Sequence, residues 1–166
     1  MNPLVSDHLA ETYFTEYQEL RPQLMALLTD ADLAFRPGPA TFTLGALCRE
    51  IGEVEHSYVD ALRTFRQDFA WTNPDPAIEH SVTALTSWYG ELDRDLAAAL
   101  EALTGDDLKN RRIQRYLDSG ADAFTLSPMQ ELDIYREALL IFYAKVSIYL
   151  RLMGRRLPPI WQDWLG

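Results

Sequence analysis

Lysine is nearly absent from this chain. Only Lys109 and Lys145 occur, while arginine supplies the rest of the 15 basic residues. That bias reflects a GC-rich coding sequence and carries no chemistry. Cysteine occurs once, at Cys48. A single cysteine excludes an internal disulfide framework and a cysteine-rich zinc site. On an apolar helical face it reads as a buried thiol, since reactive cysteines need an exposed, electropositive setting. No apolar run approaches the length needed to cross a bilayer. The first residues, MNPLVSDHLAETYF, lack a basic region followed by an apolar stretch, so no signal peptide is expected. A cytoplasmic protein without membrane contact is predicted. Glycine-rich phosphate loops, serine-nucleophile motifs and Cys–His pairings are missing too.

Net positive charge is also lacking: the formal charge is −10. Phosphate contacts supply most non-specific affinity for nucleic acid, so a binder would need a large basic face. The basic clusters here are small, Arg111, Arg112 and Arg115, then Arg151, Arg155 and Arg156. They read as solvated helix or loop ends, and no nucleic-acid partner is expected.

What is present is helical periodicity. The chain is 166 residues long and 48% apolar, enough for one domain, residues 1–166, with a substantial core. A first helix is predicted from Ser6 or Asp7, with Leu9, Tyr13, Tyr17, Leu20, Leu24 and Leu27 as its apolar stripe. Pro22 lies inside the pattern and is expected to kink or divide it. TDADLAFRPGPA reads as a short helical turn and a loop. A second helix is capped by Thr43, with Leu44, Leu47, Cys48, Ile51, Val54, Tyr58, Leu62 and Phe65 buried. A third runs from about Ile78 to Leu103. The fourth has Ser127 as cap, Pro128 at the first helical position, Gln130 completing a capping box, and Gly154 as its stop. Residues 106–126 are the least helical, and read as short extended pieces or a loop over the bundle end. The predicted fold class is all-α, a four-helix bundle with a long connection between helices three and four.

Few side chains suggest chemistry. His8, His56 and His80 fall on three different helices or helix edges, and no two share the four-residue spacing of a helical ligand pair. Each reads better as a surface or hydrogen-bonded histidine than as a metal ligand. Glu50, Glu53 and Glu55 lie on helix two, and Asp133 and Glu137 one turn apart on helix four. A cation could engage the latter pair, although a solvated acidic face is the simpler reading in so acidic a chain. Glu50 borders the apolar stripe. Tyr135, Phe142 and Tyr149 at helical spacing read as core.

Three stretches, in order, resemble the DinB/YfiT-like superfamily of four-helix bundles. They are FRPGPATFTLGALCREIGEVEH, LEALTGDDL and LSPMQELDIYREALLIFYAKVSIYLRLMGRRLPPIW. Members of that family typically bind a divalent metal through three histidines, one on the second helix and two on the last. Carried onto this chain, the resemblance places those positions at Glu50, Ala138 and Phe142, with Lys145 at the family's glutamine-like position. It implies thiol transferase or isomerase chemistry in relatives, run through the metal. Here the implied ligand set is a carboxylate, a methyl and a phenyl ring, so no cofactor is predicted. One carboxylate cannot hold a transition metal as three imidazoles do. The expected remnant is a small-molecule pocket lined by Glu50, Tyr135, Ala138 and Phe142, with Lys145 at its edge. The alternative is an enzyme of transferase or hydrolase type that binds zinc, nickel or manganese through shifted ligands drawn from Glu50, His56, Asp133 and Glu137. A third reading is a homodimeric scaffold, with the aromatic tail IWQDWL covering a partner or folding back on its own bundle.

Overall fold

The computed structural model describes residues 1–115 and 124–165. Four helices form the bundle: α2 (Phe14–Met25), α4 (Leu44–Thr64), α5 (Val82–Ala102) and α7 (Pro128–Leu152). Shorter helices flank them: α1 (Pro3–Glu11), α3 (Asp30–Leu33), α6 (Gly105–Asn110) and α8 (Pro159–Leu165). α4 lies at the centre of the packing, against both α5 and α7. The apolar stripe predicted on helix two is buried or half-buried along α4, and α5 and α7 bury stripes of the same helical period.

The helix starts follow from their caps. Thr43 accepts a hydrogen bond from the backbone N–H of Ala46, and Ser127 accepts one from that of Gln130, whose side chain returns the bond in a capping box. Pro128 occupies the first turn of α7. Past the end of α7, Gly154 takes a left-handed φ of 69°, a conformation open to glycine at little steric cost. The third predicted helix begins later than expected. Residues Ile78–His80 form a 3-10 turn, and Ser81 then caps α5.

The first predicted helix is broken, but not at Pro22. The break is at Tyr13, which has a left-handed φ of 54° and a 60% exposed ring. α1 begins at Pro3 under an Asn2 cap, before Ser6 and Asp7. α1 buries Val5, while α2 buries Phe14, Leu20, Arg21 and Leu24. The five-residue step from Leu9 to Phe14 does not fit one helical phase, and the left-handed residue resets it. Pro22 sits within α2 on an exposed face, where its missing N–H leaves α2 unbroken.

The long connection holds real structure. Residues 105–110 form α6, where Thr104 and Asp107 make a capping box. Extended pieces appear as expected on either side of residues 116–123, which lie outside the described residues. β2 (Ile113–Arg115) pairs antiparallel with β3 (Phe124–Leu126) and parallel with β1 (Arg66–Gln67), giving the order β1-β2-β3. Phe65, left-handed at φ 59°, turns the chain from α4 into β1. α8 returns over its own bundle. Trp161 is fully buried, with its ring 5.1 Å from that of Tyr143. No helix among the described residues is long and apolar enough to cross a membrane.

Two glycines on the bundle helices predict opposite outcomes. A Cβ on Gly45 would overlap the backbone carbonyl of Glu79, whereas one on Gly90 would meet only the Arg94 guanidinium at 3.7 Å. Urea unfolding should show Gly45→Ala destabilised by about 2 kcal/mol or more, the cost of overpacking against backbone. Gly90→Ala should gain about 0.5–1 kcal/mol, the helix-propensity difference.

Candidate functional site

The residues singled out on helices two and four meet on one cavity. Glu50, Ile51 and Val54 of α4 face Ala138, Ile141, Phe142 and Lys145 of α7 across a space of about 140 Å³. Glu50 is exposed and does not point into the core. It and Lys145, also exposed, put opposite charges on a largely apolar cleft. Tyr135 does not line this cleft, contrary to the sequence-based expectation. It is wholly buried in the bundle centre, with ring centroids 5.0 Å from Tyr58 and 5.7 Å from Phe14.

The alternative ligands are engaged elsewhere. His56 stacks on Trp71, ring centroids 3.7 Å apart and nearly parallel. Burial lowers its pKa, against the pull of Asp60 and Asp95. Asp133 pairs with His8 Nε2 at 3.1 Å and with Arg136 at 3.8 Å, pinning α1 to α7. Glu137 is exposed. Among the described residues no three His, Cys, Asp or Glu side chains come together as a metal site would need. At the positions implied by the family resemblance, the only donor group is the Glu50 carboxylate, which does not fit a metal held by imidazoles. Cys48 is buried, and burial pushes its thiol up to about 12.

Helix two's acidic residues do not form one solvated face. Glu53 accepts hydrogen bonds from Arg49 Nε at 2.8 Å and from the backbone N–H of Asn73 at 2.9 Å, which anchors the loop after β1. Glu55 is fully buried, beside the equally buried Arg21 of α2. Arg21 donates from one terminal nitrogen to Glu55 and from the other to Asp93 of α5, at 2.7 Å. Its guanidinium lies 4.3 Å from the centroid of the Tyr89 ring. Gln18 also donates to Asp93, at 3.1 Å. Tyr89 donates to the carbonyl of Cys48, and Tyr143 to that of Tyr17 at 2.7 Å.

The pKa values of both buried partners are raised. Burial opposes the charge on Arg21, but Glu55, Tyr135 and Asp93 together outweigh it and raise the guanidinium pKa. Burial pushes Glu55 up to about 7, against the lowering effect of Arg21. Asp93, with 40% of its side chain exposed, pairs with Arg21 from the solvent edge and adds a smaller upward push on the deeper Glu55. Glu55 sits three to four residues from Ile51 and Tyr58. Its place on the buried stripe was therefore readable from spacing, had polar residues been admitted to the stripe.

A second buried carboxylate, Glu131 in the first turn of α7, also lacks exposure. Neither of its oxygens, and neither polar atom of the buried Gln67 amide, has a hydrogen-bond partner among the described residues. Burial raises the Glu131 pKa, opposed by Arg115. Arg115 donates to the Tyr58 hydroxyl at 2.9 Å and lies over the Phe69 ring.

The raised Glu55 pKa fixes the sign of a pH effect. The folded state holds the proton more tightly than the unfolded state, so this contribution is full below the ordinary carboxylate range and is lost as pH rises through about 7. The loss attributable to Glu55 is about 3 kcal/mol at most. Urea unfolding at about pH 5 and about pH 7.5 should show a smaller fall for Glu55→Gln than for the parent protein.

No family model matches this chain, and no curated protein sequence does. Among solved structures, the chain is similar to a DinB-like protein, YjoA, from Bacillus subtilis. The TM-score is 0.65 at 16% identity, covering 95% of this chain and 96% of that one. That likeness covers nearly the whole chain, so the chain has the fold of a DinB-like protein.

Proposed function

We propose that this DinB-like bundle binds a small, mostly apolar molecule in the α4–α7 cleft, at the place where the resembled family holds its metal. The observation that carries this reading is the convergence of Glu50, Ala138, Phe142 and Lys145 on one cavity of about 140 Å³. Ala138 leaves room where a larger side chain would fill the cleft, and Phe142 forms an apolar wall. A dry cavity of about 150 Å³ accommodates benzene, so the cleft takes one ring or one branched alkyl group. That is smaller than the common range for drug-sized ligands, so anything longer would extend over Ile141 toward solvent. Glu50 and Lys145 then select the polar end: an ammonium beside the first, a carboxylate beside the second. Metal-dependent transferase or hydrolase chemistry is not part of this reading, because the donor set does not fit the ion.

A second reading, a homodimer through α7, draws on a separate observation. Ile141, Ile148 and Leu152 are 57–58% exposed on α7, spaced seven and four apart on one helical face. Three such side chains on one helix are a seed for an isologous contact, in which the same face serves both copies. Sedimentation equilibrium should report a dimer that Ile148→Glu converts to monomer. A monomer at all concentrations would sink this second reading and leave the first standing.

For the cleft itself, 2-phenylethylammonium and 3-phenylpropionate are suitable probes by amide chemical-shift titration. Saturable shifts are expected at Ile51 and Ala138. Ala138→Leu should weaken binding about ten-fold, the value of a filled apolar site. Glu50→Gln should weaken the ammonium probe about three-fold and spare the carboxylate, as an exposed charge pair would. Zinc, nickel and manganese should leave the urea midpoint unchanged. Stabilisation by any of them, with neither probe bound, would overturn the reading in favour of a metal site.

A further inference from the structure

Gly154 turns the chain back at the end of α7. Its N–H donates to the carbonyl of Arg151 at 3.0 Å, and the Arg155 N–H donates to that of Leu150 at 2.9 Å. Such a pair of bonds closes a helix that ends on a left-handed glycine. Past this turn, Arg155 and Arg156 share one concavity with Arg151 of the last helical turn. Leu157 and Gln162 complete its wall, and its volume is about 560 Å³. It shares no residue with the α4–α7 cleft.

The frame of this hollow is held in place. Leu157 is buried, and the fully buried Trp161 seats α8 on the bundle. The Gln162 side-chain amide donates to the Leu157 carbonyl at 2.7 Å. One terminal nitrogen of Arg155 donates to both oxygens of Asp32 at 2.9 Å. That leaves the other terminal nitrogen and Nε of Arg155 without a hydrogen bond among the described residues. Arg156 is exposed and has no hydrogen bond or ion pair among them.

Ordinary structural roles account for two of the arginines. A cation in the last turn of a helix offsets the helix dipole, which suits Arg151. Arg155 ties the end of α7 to Asp32 of α3. Arg156 is accounted for by neither role. No carboxylate of a described residue lies on the wall of the hollow, although the chain carries a net charge of −10. Salt screens charges beyond about 8 Å, so the local guanidinium groups set the potential there.

The shape of those groups narrows the ligand. A guanidinium presents a planar fork of N–H donors that matches the oxygens of a phosphate. A phosphate monoester offers three acceptor oxygens and about −1.5 to −2 charges at neutral pH, so more than one fork can engage it. The volume falls in the range of small-molecule sites and leaves room for an organic group beyond the phosphate. Leu157 gives that group an apolar contact.

We propose that the hollow at the end of α7 binds a small-molecule phosphate monoester, with Arg155 and Arg156 donating to its phosphate oxygens and the organic group lying against Leu157. The site is independent of the α4–α7 cleft, so either can fail without the other.

Phenyl phosphate and phenyl sulfate share one ring and one shape but differ by a charge. Each is titrated into ¹⁵N-labelled full-length protein at about pH 7.5, where the phosphate is a dianion, with ionic strength held at about 0.1 M. The amides of Arg155, Arg156 and Leu157 are followed. Phenyl phosphate should give saturable shifts at all three, and phenyl sulfate should bind about three-fold more weakly or not at all. Arg156→Gln should weaken phenyl phosphate about five-fold, the upper value for an exposed ion pair, and Arg156→Glu should abolish its binding. Arg112→Gln makes the same change in net charge away from the wall and should leave the affinity unaltered. No saturable shift with phenyl phosphate would overturn the proposal. So would phenyl sulfate binding as tightly, Arg112→Gln weakening binding as much as Arg156→Gln, or unaltered binding to Arg156→Glu.

Discussion

The bundle is organised around one buried guanidinium. Arg21 stands inside a core otherwise built from leucines and aromatic rings, and its polar neighbours come from two other helices. Glu55 reaches it from α4 and Asp93 from α5, while Tyr89 offers a ring face. A buried ion pair of this kind seldom adds net stability over apolar packing, because desolvating two charges is costly. What it adds is registry. An apolar stripe tolerates small slides and rotations, but a guanidinium that loses a partner in the interior cannot be left bare. Helices α2, α4 and α5 are therefore locked in one relative setting.

Outside that cluster, the fold distributes its polar ties with economy. Tyr143 and Tyr149 on α7 donate to the carbonyls of Tyr17 and Phe42, fastening the last long helix to the first half of the chain. Arg155 pairs with Asp32 at 2.9 Å and holds the end of α7 against α3. The small sheet joins the end of α4 to the long connection, with Arg115 covered by the rings of Phe69 and Phe124. The exposed surface keeps the acidic excess, and the arginine clusters serve these joints or face solvent.

The four long helices and most of their caps were legible in the sequence because period and capping chemistry are local. Thr43, Ser127, Gln130 and Gly154 announce ends that depend on a few neighbours only. The break at Tyr13 was not legible, since a left-handed tyrosine is imposed by the packing of Val5 and Phe14 on either side. β1 was hidden for a similar reason: two residues acquire strand geometry only because β2 comes alongside. At the candidate site, Glu50, Ala138, Phe142 and Lys145 line one cavity, while Tyr135 lies in the core. The deeper polar cluster carries no apolar signature: Glu55 occupies the interior beside the half-buried Val54, and Arg21 is buried next to Leu20.

The spread of that cluster along the chain bears on synthesis. Arg21, Glu55 and Asp93 leave the ribosome in turn, yet α7, whose buried Tyr135 and Tyr143 lie near the Arg21–Glu55 pair, is made after all three. Until α7 emerges, the charges stay hydrated and the faces of α2, α4 and α5 have no lid. The guanidinium reaches its final burial only once α7 is in place. A nascent bundle that closes early, around the wrong helix, would strand a charge in its interior and reopen. Arg21 in this way acts as a proofreader of assembly as well as a fixture of the finished protein.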